Sequence, residues 1–164
     1  MGAFNTGNNS VGSVFSVVEN RMAERLTTEE TERTERRGGR GKLIYEEESY
    51  AIRGAIYEVY KTLGPGFLEA VYQEALEKEM ATRDIPFTSQ EEIDIFYKGE
   101  KLSQSYRADI ICYNKIILEL KAVKTLLPEH EAQLHNYLRA TNMRLGFLIN
   151  FSHFPEVEIR RIVN

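Results

Sequence analysis

Ile116-Ile117-Leu118-Glu119-Leu120-Lys121-Ala122-Val123 is an apolar run with one acid and one base set into it, two residues apart. In a β-strand residues i and i+2 share a face, so Glu119 and Lys121 project side by side from a segment that otherwise reads as buried. A carboxylate or ammonium held away from water without compensation is costly, so such a pair needs a partner, a metal or a task. Asp109 lies ten residues before Glu119, in a second apolar run, Tyr106-Arg107-Ala108-Asp109-Ile110-Ile111-Cys112-Tyr113. Three ionisable groups therefore converge on one predicted hairpin.

Convergence sets a condition on the connection between the two runs. If Tyr113 and Ile116 paired across a two-residue turn, Asp109 would face Leu120 and Glu119 would point to the opposite side of the sheet. An odd-length connection, such as Tyr113-Asn114-Lys115, or a β-bulge is required to bring the carboxylates together.

Outward from the hairpin, the chain divides into periodic segments. Tyr50, Ile52, Ala55, Ile56, Val59, Tyr60 and Leu63 recur at spacings of three and four and predict a helix from Glu46. Gly64-Pro65-Gly66 stops it and forms a tight joint into a second helix, Phe67 to about Arg83, with Glu69 in its first turn. The period then shifts towards two. Phe87 to Tyr97, Lys101 to Tyr113 and Ile116 to Val123 read as an antiparallel meander. Pro128 opens a helix to about Thr141, Arg144 to Phe151 reads as a buried strand, and Pro155 to Val163 as a short terminal helix. The predicted order is ααβββαβα, without internal repeats.

Residues 1 to 42 read differently. Gly, Asn and Ser dominate the start, a short helix is expected over Val14 to Leu26, and Thr27 to Lys42 is almost wholly polar. This segment is expected to be a disordered or weakly ordered tail, and its RRGGRGK end a solvated charge run. Residues 43–164 form the expected domain, since 164 residues with 42% hydrophobic content suffice for one core. The tail holds 7 basic and 6 acidic side chains (+1) and the domain 14 and 19 (−5), which sum to the formal −4. A protein that coats nucleic acid by charge alone is excluded, and any such contact needs a local basic strip or metal ions. The single Cys112 gives no disulfide framework and reads as a small buried hydrophobe. No run reaches the roughly 18 apolar residues that span a bilayer, so no membrane association is expected and the reading is cytoplasmic.

The residue types at the hairpin suit a hard cation. Carboxylate oxygens from Asp109 and Glu119 are ligands for Mg²⁺ or Mn²⁺, which usually sit on one or two carboxylates plus water and substrate phosphate. Lys121 is placed to orient or deprotonate a water, or to stabilise charge developing on a phosphoryl group. Against this stands an ordinary ion pair on a half-exposed strand face. No spacing suits zinc, and Gly64-Pro65-Gly66 is no phosphate loop, because it follows a helix and lacks the Lys-Ser/Thr ending.

Gly66-Phe67-Leu68-Glu69-Ala70-Val71-Tyr72 resembles the GxxExxY signature of a family of small proteins assigned to the PD-(D/E)XK nuclease-like superfamily. The likeness continues through Tyr106 to Asp109, Glu119 to Val123, Leu127 to Leu134 and Leu145 to Phe151, covering about residues 45 to 164 in order. It implies an α/β (α+β) fold with a restriction-endonuclease-like αβββαβ core, a mixed sheet flanked by helices. It also implies catalytic roles for Asp109, Glu119 and Lys121, and adds Glu69 to the metal set of Asp109 and Glu119. Gln133 and Tyr137, at i and i+4 on one helix face, look like the Gln-x-x-x-Tyr element of exonuclease-type members. Gln133 is assigned to the site lining, while Tyr137 equally fits the apolar stripe with Leu134 and Leu138. His130, one turn earlier, is the histidine candidate.

The expectation is a Mg²⁺- or Mn²⁺-dependent nuclease acting on DNA, with RNA as a second substrate class and protein partners or a homo-oligomer as companions. Lys98, Lys101, Arg107, Lys124, Arg139 and Arg144, interleaved with Tyr97, Tyr106 and Tyr113, are the candidates for tracking a strand. The rival expectation is a catalytically silent nucleic-acid- or protein-binding module on the same fold.

Overall fold

The helical stripe that starts the domain is α1 (Glu46–Leu63), whose buried residues are Ile52, Ala55, Ile56 and Val59. The computed structural model describes residues 43–164, so the tail and the short helix expected within residues 1–42 lie outside the described residues. Three glutamates in the first turn of α1 and Lys61 in the last complement the helix dipole. Its end is closed by the Gly64 N–H, which donates to the Tyr60 carbonyl at 2.8 Å. Gly64 (φ +68) and Gly66 (φ +111) then occupy backbone conformations that L side chains rarely adopt. They turn the chain into α2 (Glu69–Thr82), which buries Tyr72, Leu76 and Met80.

Five strands follow: β1 (Phe87–Tyr97), β2 (Glu100–Cys112), β3 (Ile116–Lys121), β4 (Leu145–Asn150) and β5 (Glu158–Val163), with α3 (Pro128–Thr141) between β3 and β4. They form one sheet in the order β1-β2-β3-β4-β5. The β1/β2, β2/β3 and β4/β5 pairs are antiparallel and β3/β4 is parallel, because α3 supplies the crossover that parallel neighbours require. The result is a mixed sheet with helices on both faces, the restriction-endonuclease-like α+β arrangement expected from the sequence. No helix among the described residues is long and apolar enough to cross a membrane.

Two cores follow from the alternation of side chains. On one face Ile110, Cys112, Ile116, Leu118 and Leu120 pack with Ile56, Leu76 and Met80 of α1 and α2. On the other, Ile111, Ile117 and Leu148 pack with Leu134, Tyr137 and Leu138 of α3. Every residue of β4 is buried, so this strand lies between both layers, as a continuous apolar run predicts.

The C-terminal stretch corrects the expectation of a terminal helix over Pro155 to Val163. From Glu158 it is strand β5, paired antiparallel to β4 from Asn150↔Glu158 to Leu145↔Val163. The competing influence is tertiary: without β5 the far edge of β4 would expose an unpaired row of backbone groups. The β-branched Ile159, Ile162 and Val163 suit that position. On the α3 side, Arg160 is bonded to Glu131 of α3 and to Glu158, each at 2.6 Å.

Gly146 lies against Leu134 of α3. A Cβ there would stand 2.8 Å from Leu134 Cδ1, so Gly146→Ala forces the leucine out of place. Denaturant unfolding is expected to show a loss of about 1–3 kcal/mol for Gly146→Ala. The loss should be much smaller when measured in a Leu134→Ala background; equal losses in the two backgrounds would contradict close approach as the cause.

Candidate active site

The connection between β2 and β3 has the odd length that convergence demands. Cys112 pairs with Ile116, Ile111 with Ile117 and Ile110 with Leu118, leaving Tyr113-Asn114-Lys115 as a three-residue turn. Tyr113 and Asn114 are both left-handed (φ 53 and 54), and the Lys115 N–H closes the turn on the Cys112 carbonyl at 3.1 Å. One step further along this register, Asp109 and Glu119 come opposite each other. Both follow the parity of Ile111 and Ile117, which face α3.

The regular ladder stops at that point. Beyond Ile110↔Leu118 no further β2/β3 pair forms, and the Leu120 N–H donates instead to Asp109 Oδ2 at 2.8 Å. On the other side of β2, Gln90 adopts φ 53 between the pairs Ser89↔Ile110 and Glu91↔Ala108. The strand rolls here. Ala108, which a regular strand would place with Ile110 and Cys112 on the α1/α2 side, packs on the α3 side with Ile93. Asp109 is thus the residue at which β2 leaves β3, and its side chain accepts an N–H that a backbone carbonyl would otherwise take.

Glu119 is 2% exposed and its Oε1 accepts from Lys121 Nζ at 2.6 Å. Its Oε2 is buried with no hydrogen-bond partner. Burial, with the Asp109 charge adding to it, pushes the Glu119 carboxyl up to about 7, even though Lys121 acts in the opposite direction. The Asp109 carboxyl is also raised by burial, against the pull of the Leu120 N–H, Lys121 and a hydrogen bond from Gln90. For Lys121, burial disfavours the charge, but Glu119, Glu69 and Asp109 outweigh it and hold the ammonium above its usual range.

Glu69 reaches the same place from the first turn of α2. Partial burial raises its carboxyl, Lys121 lowers it, Asp109 raises it, and the Ala122 N–H and His130 lower it. The structure therefore brings Glu69, Asp109, Glu119 and Lys121 into one electrostatic neighbourhood. Gln133 enters through Tyr137: its Nε2 donates to the Tyr137 hydroxyl at 2.6 Å. Burial raises that phenol, Gln133 lowers it, and Glu119 and Asp109 raise it further. Tyr137 accordingly belongs both to the α3 core, being 3% exposed, and to the border of the site.

His130 is occupied locally. Its Nδ1 accepts the Leu127 N–H and its own N–H donates to the Leu127 carbonyl, both at 3.1 Å, which caps α3. Of the three candidate tyrosines, Tyr106 is the one at the site, tilted against Tyr137 with ring centroids 5.1 Å apart. Tyr97 is at the end of the β1–β2 ribbon and Tyr113 is in the turn at the far end of β3. Lys98 and Lys101 also belong to the ribbon end, Lys98 over Tyr97 and Lys101 paired with Asp94 at 2.8 Å. Arg107, Lys124, Arg139 and Arg144 are exposed.

Two residues were not anticipated as contributors. Gln90 carries no sequence signal, since a glutamine in a polar strand segment is ordinary. Asn150 is fully buried, and its Oδ1 accepts the Val123 and Ser152 N–H groups at 3.1 and 3.2 Å. It stands opposite Lys121 in the β3/β4 register and so fixes the chain as it leaves the site. An asparagine within the apolar run LINF was the available signal.

The donors present are oxygens, and the unpartnered buried Oε2 of Glu119 suits a hard divalent cation. Among the described residues, no three His, Cys, Asp or Glu side chains gather closely enough to hold an ion between them. The three-carboxylate set of Glu69, Asp109 and Glu119 is therefore not closed in this arrangement, and the fit is to a cation held by two carboxylates with water and phosphate oxygens completing its shell.

An acid within one strand and an acid-x-lysine on its neighbour, in a mixed sheet flanked by helices, define a nuclease-like domain. Residues 46–162 match the family described as the PD-(D/E)XK nuclease superfamily, and the chain belongs to it. No curated protein and no solved structure matches the chain.

The site makes stability pH-dependent. Glu119 titrates near 7 in the folded protein against an ordinary 4.5, so between those values the folded state binds more protons than the unfolded one. Stability falls as pH rises through this window. The raised carboxyls of Asp109 and Glu69 act in the same sense, whereas Lys121 titrates far above it. In chelator, the protein should lose up to about 3 kcal/mol from this group between pH 4.5 and 7. Glu119→Gln should flatten the slope, and an unchanged slope in that variant would contradict the assignment.

Proposed function

We propose that the chain is a Mg²⁺- or Mn²⁺-dependent nuclease that hydrolyses phosphodiester bonds of DNA, with RNA as the second substrate class to test. The observation that carries this reading is the buried, unpartnered Oε2 of Glu119 beside Asp109, with Lys121 on the same strand face. A superfamily nuclease needs an acid pair and a base, and a structural ion pair would leave no carboxylate oxygen buried without a partner. The narrower GxxExxY assignment rests on Gly66 to Tyr72.

In this reading Asp109 and Glu119 would hold the cation, with Glu69 adding negative charge from the rim. When bound, the cation polarises the phosphoryl oxygen and acidifies water. Asp109 is aimed by the Leu120 N–H, and Glu119 is kept dry so that its charge acts at low dielectric. Lys121 exchanges its bond to Glu119 for the attacking water or the charge developing on phosphorus. Gln133 and Tyr137 border the phosphate, and Tyr106 offers a half-exposed ring for a neighbouring base.

A second reading, a silent binding module for nucleic acid or protein, is favoured by the −5 charge of the domain and by the Glu119–Lys121 contact being closed. The two readings separate in one assay series on single- and double-stranded DNA and RNA with Mg²⁺ or Mn²⁺. Cleavage should fall by about 10²-fold or more in Glu119→Gln and in Lys121→Ala. Cleavage that persists unchanged in both would remove the site, and absence of any metal response in the native chain would favour the binding module.

A further inference from the structure

Tyr72 is fully buried in the first half of α2, yet the partners of its hydroxyl lie outside that helix. Its hydroxyl donates to the Gly64 carbonyl at 2.7 Å and accepts the Phe67 N–H at 3.1 Å. One phenol thus clamps both ends of the Gly64-Pro65-Gly66 joint, whose glycines hold φ +68 and +111. The ring stacks on Phe151 with centroids 4.6 Å apart and planes 7° from parallel. Phe151 in turn donates its N–H to the Lys121 carbonyl at 2.9 Å. Tyr72 therefore touches the joint that starts α2 on one side and, through Phe151, the end of β3 on the other.

Glu69 stands between these two anchors. It opens α2 directly after the clamped joint, and the N–H of Ala122, the residue following Lys121, is among the groups that hold its carboxyl down. Leu68, which precedes it, is exposed and supplies no side-chain cap to the helix. The first turn of α2 therefore has no capping side chain of its own to fix its direction, and the phenol supplies the missing constraint.

We infer that Tyr72 is a positioning residue whose hydroxyl sets the α1–α2 joint so that Glu69 docks on the Ala122 N–H at the mouth of the site. The inference gives the tyrosine of the Gly66–Tyr72 stretch a physical task distinct from core filling. The glycines permit the turn, the acid is delivered by it, and the tyrosine holds it.

The test reads backbone amides by hydrogen exchange in the full chain. Tyr72→Phe keeps the ring on Phe151 and removes only the hydroxyl. The Ala122 amide should then exchange about tenfold faster, while the Leu120 amide, bonded to Asp109, keeps its native rate. Gly66→Ala has nothing within 4 Å to clash with and strains only the joint, so it should produce the same selective effect. Native-like Ala122 protection in both variants, or equal acceleration of Ala122 and Leu120, would overturn the inference.

A second arm rests on the proposed nuclease reading. Calorimetric Mn²⁺ affinity should weaken in Tyr72→Phe, as in Glu69→Gln, with no further loss when the two are combined. Additive losses would overturn the inference while leaving the metal site intact. Absence of Mn²⁺ binding by the native chain would overturn the nuclease reading and leave the exchange result to decide the role of Tyr72.

Discussion

The organising constraint is the burial of the Glu119 carboxylate at 2% exposure, within reach of the Asp109 charge and with one cation for company. Removing a carboxylate from water costs several kcal/mol even after relaxation, and a like charge nearby adds to it. Lys121 relieves part of this through Oε1, and Oε2 is left without a partner. A chain selected for stability alone would place an apolar residue here, as it does at Leu118 and Leu120 on either side. The domain instead arranges its elements around the cost.

That arrangement explains features that look like irregularities in isolation. The left-handed turn at Tyr113-Asn114 sets the register that puts Asp109 across from Glu119. The left-handed Gln90 rolls the β1–β2 ribbon at Asp109, which frees the Leu120 N–H to fix the aspartate. Asn150 ties down Val123, and the joint at Gly64-Pro65-Gly66 sends α2 towards Ala122. The buried polar side chains Glu119 and Asn150 gather where β3 ends, while Ile116 to Leu118 of β3 and Leu145 to Ile149 of β4 are apolar core. The site thus stands at the C-terminal end of the central strand, between the two helix layers.

Much of this was legible in the sequence because the site interrupts strong patterns. Glu119 and Lys121 stand out against an apolar strand, and the stripe of α1 and the proline of α3 set their elements within a residue or two. Period-two strands align Asp109 with Glu119 only across an odd-length connection or a bulge, so the three-residue turn at Tyr113-Asn114-Lys115 is legible from spacing alone. Three things were not legible. The last strand reads as a helix in the sequence because nine residues rich in Val, Ile and charge satisfy either period, and only the open edge of β4 decides between them. The roll at Gln90 depends on a backbone conformation that glutamine does not advertise. The polar contacts of Tyr72 are hidden in the sequence, because its partners come from a loop whose path the sequence does not specify.

Glu119 is held dry with its carboxyl pushed up to about 7, so a divalent cation bound there beside Asp109 would displace a proton. Titrating Mn²⁺ into the chain by calorimetry near pH 7, in two buffers of different ionisation enthalpy, tests it directly. Binding should be accompanied by proton release to the buffer, with both lost in Glu119→Gln. Binding that releases no proton, or that survives unchanged in Glu119→Gln, would contradict it.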